Sequence, residues 1–353
     1  MTDGLSESQR AIARPGSDKS YDALLLVSFG GPESPDDVLP FLANVTRGRD
    51  IPPARLEQVA ERYYARDGVS PINQANRDLR GVLADRLDVP VYWGNRNWHP
   101  FLADAVREMR ADGVGRALAF VTSVFASYSS CRQYLENIAD ARATVGQGAP
   151  AIERVRHGFD HPGFVDAFVD TTVAALQQLP SHLSQNARLL FTAHSIPLRM
   201  QRSSGPHGGL YEQQLKAASA LVAEGVQART GIPRPFDVVF QSRSGSPTDP
   251  WLEPDLLDAI DAVTEGAVVV VPVGFTADHM EVVYDIDVEA ADRARRRGLA
   301  FARAGTAGTH PSYVEMIVEL VRERTDPSTP RRALSALGPS YDECPTDCCL
   351  GTR

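Results

Sequence analysis

Positive charge is in deficit. Against 36 lysines and arginines stand 45 aspartates and glutamates, a net charge of -9 at pH 7. Phosphate neutralisation needs a basic surface, so nucleic acid is excluded as the main partner. Basic residues cluster only locally, at Arg47 and Arg49 and in Arg293, Arg295, Arg296 and Arg297, enough for a small anionic ligand. Long apolar runs are missing as well: no stretch reaches the roughly 18 residues of a membrane span. The first 20 residues are polar, interrupted by Gly4, Pro15 and Gly16, with no apolar centre for a signal peptide. A cytoplasmic protein without membrane insertion is expected, with residues 1–20 a disordered N-terminal segment.

Several catalytic signatures are also absent. No GxGxxG follows a strand, there is no Walker-type lysine loop, and HExxH does not occur. Neither Ser28 nor Ser195 sits in a GxSxG elbow. There are only four cysteines: Cys131 is interior, whereas Cys344, Cys348 and Cys349 crowd the C-terminus. A cytosolic setting argues against disulfides. The four thiols would suffice for a zinc or iron–sulfur site; because C-x-x-x-C-C is not diagnostic, incidental thiols on a frayed tail remain the alternative.

What is present is an alternation. Apolar strand candidates at 23–29, 89–92, 117–125, 188–192, 237–241 and 267–273 are separated by segments of helical period, among them 56–65, 76–86, 102–111, 164–178, 211–230 and 252–263. Alternating strands and helices imply α/β architecture with parallel sheets and right-handed crossovers. At 353 residues the chain exceeds one ordinary core. Two doubly wound halves are expected, at 21–180 and 181–325, followed by a tail, 326–353, whose Pro/Ser/Arg composition alone reads as disordered.

Polar groups gather where these strands end, and in open α/β sheets ligands bind at such carboxyl ends. The first strand runs into Ser28-Phe-Gly-Gly-Pro32 and the fourth into Thr192-Ala-His-Ser-Ile-Pro197. A lone strand-end histidine such as His194 is ordinarily structural, but the turn that comes after it favours a chemical role. After the run 267–273 come Asp278, His279, Glu281, Asp285, Asp287 and Glu289. Glu281, Asp285 and Glu289, spaced by four, share one stripe of an α-helix. The intervening residues are nearly all apolar, and buried like charges need a cation or protons to compensate them. A hydrated-metal path or a proton relay is expected.

Four motifs in order, Leu24-Leu-Leu-Val-Ser-Phe-Gly-Gly-Pro32, Phe191-Thr-Ala-His-Ser-Ile-Pro197, Phe240-Gln-Ser-Arg243 with Trp251, and Val271-Pro-Val-Gly-Phe-Thr-Ala-Asp-His-Met-Glu281, resemble ferrochelatases over residues 21–325. The resemblance implies two similar Rossmann-like domains with a porphyrin cleft between them. It implies catalytic roles for His194 and Glu281, facing each other across the macrocycle and handling metal, with Asp285 and Glu289 continuing the acidic ladder. Ser70 in Gly68-Val-Ser-Pro71, Arg47 and Arg49 in Thr46-Arg-Gly-Arg49, and Tyr134 match positions near the porphyrin carboxylates. Phe29 stands where several bacterial relatives have a tyrosine able to contact the metal. The motif Tyr128-Ser-Ser-Cys-Arg-Gln-Tyr134 and the cysteine tail resemble actinobacterial members with a 2Fe–2S cluster, implying Cys131, Cys344, Cys348 and Cys349 as its ligands.

The reaction so implied is insertion of iron(II) into a porphyrin, within heme biosynthesis, with a downstream heme-pathway enzyme as a partner. Protoporphyrin enzymes of the family have a hydrophobic lip where residues 44–53 here are polar and basic. Coproporphyrin III is therefore the expected substrate and Fe-coproporphyrin III (coproheme) the product. Protoporphyrin IX is the alternative. A non-catalytic tetrapyrrole or metal-binding protein, or a cobalt or nickel chelatase, are the more distant ones.

Overall fold

The computed structural model describes residues 20–48, 52–243 and 249–351. The expected segment 1–20 (apart from its last residue) and Arg49 lie outside them. Two four-stranded sheets form the framework. The first runs β2-β1-β3-β4, from β1 (Ala23–Ser28), β2 (Val91–Asn95), β3 (Arg116–Val121) and β4 (Ala151–Arg154). The second repeats that order as β6-β5-β7-β8, from β5 (Arg188–His194), β6 (Phe236–Gln241), β7 (Ala267–Val271) and β8 (Ala300–Arg303). Every pairing is parallel; Leu24 lies opposite Val91 and Leu118, and Leu189 opposite Phe236 and Val269.

The central strands are buried throughout, as β1 (ALLLVS) and β7 (AVVVV) show, because helices cover both faces of each sheet. Each fully buried aliphatic side chain contributes about 1.5–3 kcal/mol. The edge strands β4 and β8 were not expected from the sequence. Each is four residues long and only partly buried, and AIER and AFAR carry too short an apolar run to stand out. The fourth expected strand, 188–192, extends to His194, so that histidine is the last residue of β5.

The division near residue 180 separates the two sheets, yet the halves share one core. A single cluster of buried side chains includes Leu24 and Phe120 from the first sheet and Phe191 and Val269 from the second. The final helix, Pro311–Thr325, falls in the second half by sequence but packs on the helices Pro162–Leu176 and Ile72–Ala84 of the first. There Glu323 takes a bidentate pair from Arg156, at 2.7 and 2.8 Å, with both side chains wholly buried. The tail has no regular structure but is not loose: Asp342, Cys348 and Cys349 are buried, Arg156 donates to the carbonyl of Arg332 at 2.7 Å, and Arg324 and Arg331 both pair with Asp342. Fixed polar and sulfur contacts override the composition that reads as disorder.

Candidate active site

β5 and β7 are neighbours, and the chain leaves their carboxyl ends beside one another. Gly274 makes this possible: a Cβ there would lie 2.4 Å from that of Ala193. His194 ends β5, and its backbone carbonyl accepts from the Tyr211 hydroxyl at 2.8 Å. The His194 Nδ1 contacts the Ser195 carbonyl. A carbonyl can only accept, so Nδ1 carries a hydrogen, and in the neutral ring Nε2 keeps a free lone pair. Glu281 lies beyond the end of β7, and its Oε2 is 3.8 Å from that Nε2, with both side chains partly open to solvent.

This corrects the expectation that the two groups face each other across a macrocycle. Nonbonded carbon atoms rest about 3.5–4 Å apart, so a flat ring between two side chains needs roughly twice that. His194 and Glu281 instead form a side-by-side pair, because they issue from adjacent strands of the same sheet. His279, beside them, stands edge-on to Phe275. Burial, and then the neighbouring His194, hold the His279 imidazole down to about 4, so it is neutral at pH 7.

The acidic ladder continues from Glu281, but not on an α-helix. The chain is α-helical over Met280–Val282, π-helical over Val283–Ala290 and α-helical again over Ala291–Arg296. The i→i+5 pattern widens the helix where the carboxylates project, a distortion frequent at functional sites. Asp285 is buried and accepts from Ser242 Oγ, from Gln241 Nε2 at 3.2 Å and from Arg62 Nη1 at 3.5 Å. Ser242 adopts a left-handed φ of 61° to make its contact, strain that a non-glycine residue accepts when its surroundings dictate it. Burial, then the charge of Glu281, raises the Asp285 carboxyl to about 6. Glu289 is half-buried, and desolvation raises its pKa as well. Arg62 ties the ladder to the first half: it reaches Glu289 Oε1 at 3.6 Å and lies over the Tyr284 ring at 4.4 Å.

The first half supplies an apolar wall. Phe41, Tyr63 and Met280 are buried together, with Phe29 and Trp98 packed against them. Phe29 stands edge-on to Phe41 at 6.4 Å, so it joins this wall and offers no metal ligand. Burial and the nearby Glu281 push the Tyr63 hydroxyl up, out of reach of ionisation. Gly30, with φ 82°, turns the chain away from β1 where a Cβ would strike Asn95. Ser70 is buried behind the neighbouring Gly31. Tyr134 is buried too, and the Arg96 guanidinium lies between it and Phe29, at 5.4 and 5.9 Å from the two rings. Arg47 is exposed just beyond the helix Pro35–Val45. The structure therefore gathers Phe29, Ser70 and Tyr134 around the end of β1 and leaves Arg47 on the surface.

The four cysteines, all free thiols, converge elsewhere. Cys348 and Cys349 are packed with Ala126, Leu210 and Cys344, and their sulfurs are 3.7 Å apart. The Cys344 and Cys349 thiols lie near Cys131. Those contacts, and after them the charge of Arg154, hold the Cys131 thiol well below its ordinary pKa. Arg154 donates to Cys131 Sγ at 2.8 Å and to Cys344 Sγ at 3.3 Å, and the Gly205 N–H donates to Cys349 Sγ at 3.1 Å. Among the described residues, no three His, Cys, Asp or Glu side chains surround a single metal position. A two-iron cluster is a different case, since its four thiolates are shared between two irons. Closely packed thiols receiving N–H bonds are the donor set such a cluster takes.

Two four-stranded parallel sheets flanked by helices, with polar residues gathered at the carboxyl ends of β5 and β7, make a chelatase-type fold. Two solved structures resemble it: SirB from Bacillus subtilis with Fe3+ (TM-score 0.53, 12% identity, 88% of this chain and 97% of that one) and the sirohydrochlorin chelatase SirB from Bacillus subtilis subspecies spizizenii with cobalt (TM-score 0.51, 12% identity, with the same shares covered). At that identity the likeness concerns fold alone. The family comes from sequence: the ferrochelatase family model matches residues 21–325, and the chain belongs to that family. Among curated relatives, the coproporphyrin III ferrochelatase of Frankia alni is 54% identical, covering 95% of this chain and 88% of its own. A ferrochelatase of Rhodopirellula baltica is 51% identical over 94% of both chains. The coproporphyrin III ferrochelatase of Streptomyces griseus is 49% identical over 93% of both.

Proposed function

We propose that this ferrochelatase inserts iron(II) into coproporphyrin III to give Fe-coproporphyrin III, with His194 and Glu281 acting together on one face of the ring. The pairing of Nε2 and Oε2 at 3.8 Å carries the reading. Insertion must remove two pyrrole protons and strip water from the metal. With Nδ1–H held by the Ser195 carbonyl, the His194 Nε2 lone pair is a fixed acceptor for a pyrrole proton, and Glu281 is placed to receive it next. Asp285, whose carboxyl sits at about 6, exchanges a proton near neutral pH. Glu289 then leads outward toward solvent. The same carboxylates suit hydrated iron(II), a borderline cation that accepts oxygen ligands such as water and carboxylate before it meets nitrogen. The aromatic wall of Phe29, Phe41 and Trp98 supplies apolar contact for a macrocycle. Arg96 and Arg47 supply cations for its carboxylates.

Coproporphyrin III is preferred to protoporphyrin IX for two reasons: the polar, basic segment 44–53, and the names carried by relatives about half identical in sequence. A 2Fe–2S cluster on Cys131, Cys344, Cys348 and Cys349 fits the convergent thiols and their N–H donors, and would supply one-electron redox chemistry. Among the described residues no helix is long and apolar enough to cross a membrane. We place the enzyme in the cytoplasm, handing its product to a downstream heme-pathway enzyme.

One set of assays tests the reading: iron insertion into both porphyrins by the native protein, His194→Ala and Glu281→Ala. Native turnover should favour coproporphyrin III, and each variant should lose at least a hundredfold in rate while still quenching porphyrin fluorescence on binding. Faster use of protoporphyrin IX would reverse the substrate assignment. Near-native turnover in either variant would remove that residue from the mechanism.

A further inference from the structure

Arg154 is the last residue of β4 and only 6% exposed. A buried charge needs a compensating partner, and a guanidinium does not escape by losing its proton. The other buried arginines meet that need with carboxylates: Arg156 with Glu323, and Arg324 with Glu153 and Asp342. Arg154 forms no ion pair with Asp or Glu among the described residues. Its two terminal nitrogens instead fork across Cys131 Sγ and Cys344 Sγ. Nη1 also contacts His157 Nε2 at 2.6 Å, and Nε has no hydrogen-bond partner among the described residues. Both sulfurs belong to the proposed 2Fe–2S site, and the role of Arg154 depends on the cluster being there.

With both irons ferric, such a cluster on four thiolates carries net negative charge, and an added electron increases it. A fixed cation donating N–H bonds to its sulfurs stabilises the reduced form more than the oxidised one. We infer that Arg154 is the counter-charge of the cluster, holding its reduction potential up through direct N–H contacts to the sulfurs of Cys131 and Cys344. Arg154 is thus a tuning residue outside the ligand set.

The test compares the full-length protein with Arg154→Met and Arg154→Lys, all purified anaerobically. Iron and acid-labile sulfide are quantified first, and each cluster is then titrated at a mediated electrode, which supplies the one electron that turns one ferric ion ferrous. The EPR signal and the visible bleach report the reduced fraction. At the potential where the native cluster is half reduced, Arg154→Met should show an oxidised-to-reduced ratio at least tenfold higher, a fall of about 59 mV or more for a one-electron couple. Arg154→Lys should remain within threefold of native. If Arg154→Met assembles no cluster while Arg154→Lys does, charge compensation is again supported. An unchanged potential in Arg154→Met overturns the inference, and so does loss of the cluster from both variants while they remain folded by circular dichroism. Native protein without iron and sulfide would be a different failure, that of the cluster assignment, and would take this inference with it.

Discussion

Asp285 is unusual in being a buried acid with hydrogen bonds from Ser242, Gln241 and Arg62 whose carboxyl is nevertheless raised to about 6. Burial outweighs the donors, and Glu281 adds repulsion. A folded-state value above the unfolded one means that the native protein binds the extra proton. Its stabilising contribution is complete below the unfolded value and fades as pH rises through about 6. Asp285→Asn should therefore flatten the decline in stability across this window, gaining on the order of 3 kcal/mol relative to native above it. Thermal unfolding of both proteins from pH 4 to 8 without added metal would show this, and parallel curves would contradict it. Asp285 could be singled out in the sequence because a carboxylate among valines and isoleucines is conspicuous. His194 and Glu281 could be singled out because each lies in a short motif at a strand end. Arg62 gave no such signal: its partner Asp285 is 223 positions away, and only the folded chain brings them together.

Among the elements, the segment 280–296 shows both how far residue spacing reaches and where it stops. Steps of four correctly grouped Glu281, Asp285 and Glu289, but the apolar pattern does not distinguish i→i+4 from i→i+5 bonding, and the π-helix went unforeseen. Edge strands β4 and β8 were missed for want of an apolar run, although β4 ends in Arg154. The other end of the segment that begins with β4 supplies Arg156, the anchor for the final helix. Both members of the Arg156–Glu323 pair are wholly buried, so removing one strands the other without water. Glu323→Gln should cost about 3–5 kcal/mol, as expected for breaking a buried pair. Urea denaturation should show a lower midpoint with the slope preserved. A loss below 1 kcal/mol would mean that water reaches Arg156.

For the whole molecule, alternating strands and helices announced two parallel sheets, and both are there. The return of the final helix to the first half could not be read, because its contacts lie far away in sequence. Nor could the packing of the tail, which depends on pairs such as Arg331–Asp342 and on N–H contacts from Arg154 and Gly205 to the sulfurs of Cys344 and Cys349. Truncation after Thr325 should abolish acid-labile sulfide and also lower the unfolding temperature, since Arg324 loses Asp342 and the surface around Ala126 is uncovered. Replacing Cys344, Cys348 and Cys349 with serine should abolish the sulfide while sparing more of the thermal stability. Equal losses in the two proteins would show that the tail is held by the cluster alone.

Arg62 has a further consequence. It reaches from the first half to two carboxylates on the second, the same oxygens an arriving hydrated cation would seek. Competition of this kind is reciprocal: metal occupancy weakens the strap by the factor by which the strap weakens metal uptake. On the proposed iron path cargo and clasp would share one set of anchors, with Arg62 held to Asp285 and Glu289 most firmly when no iron is bound.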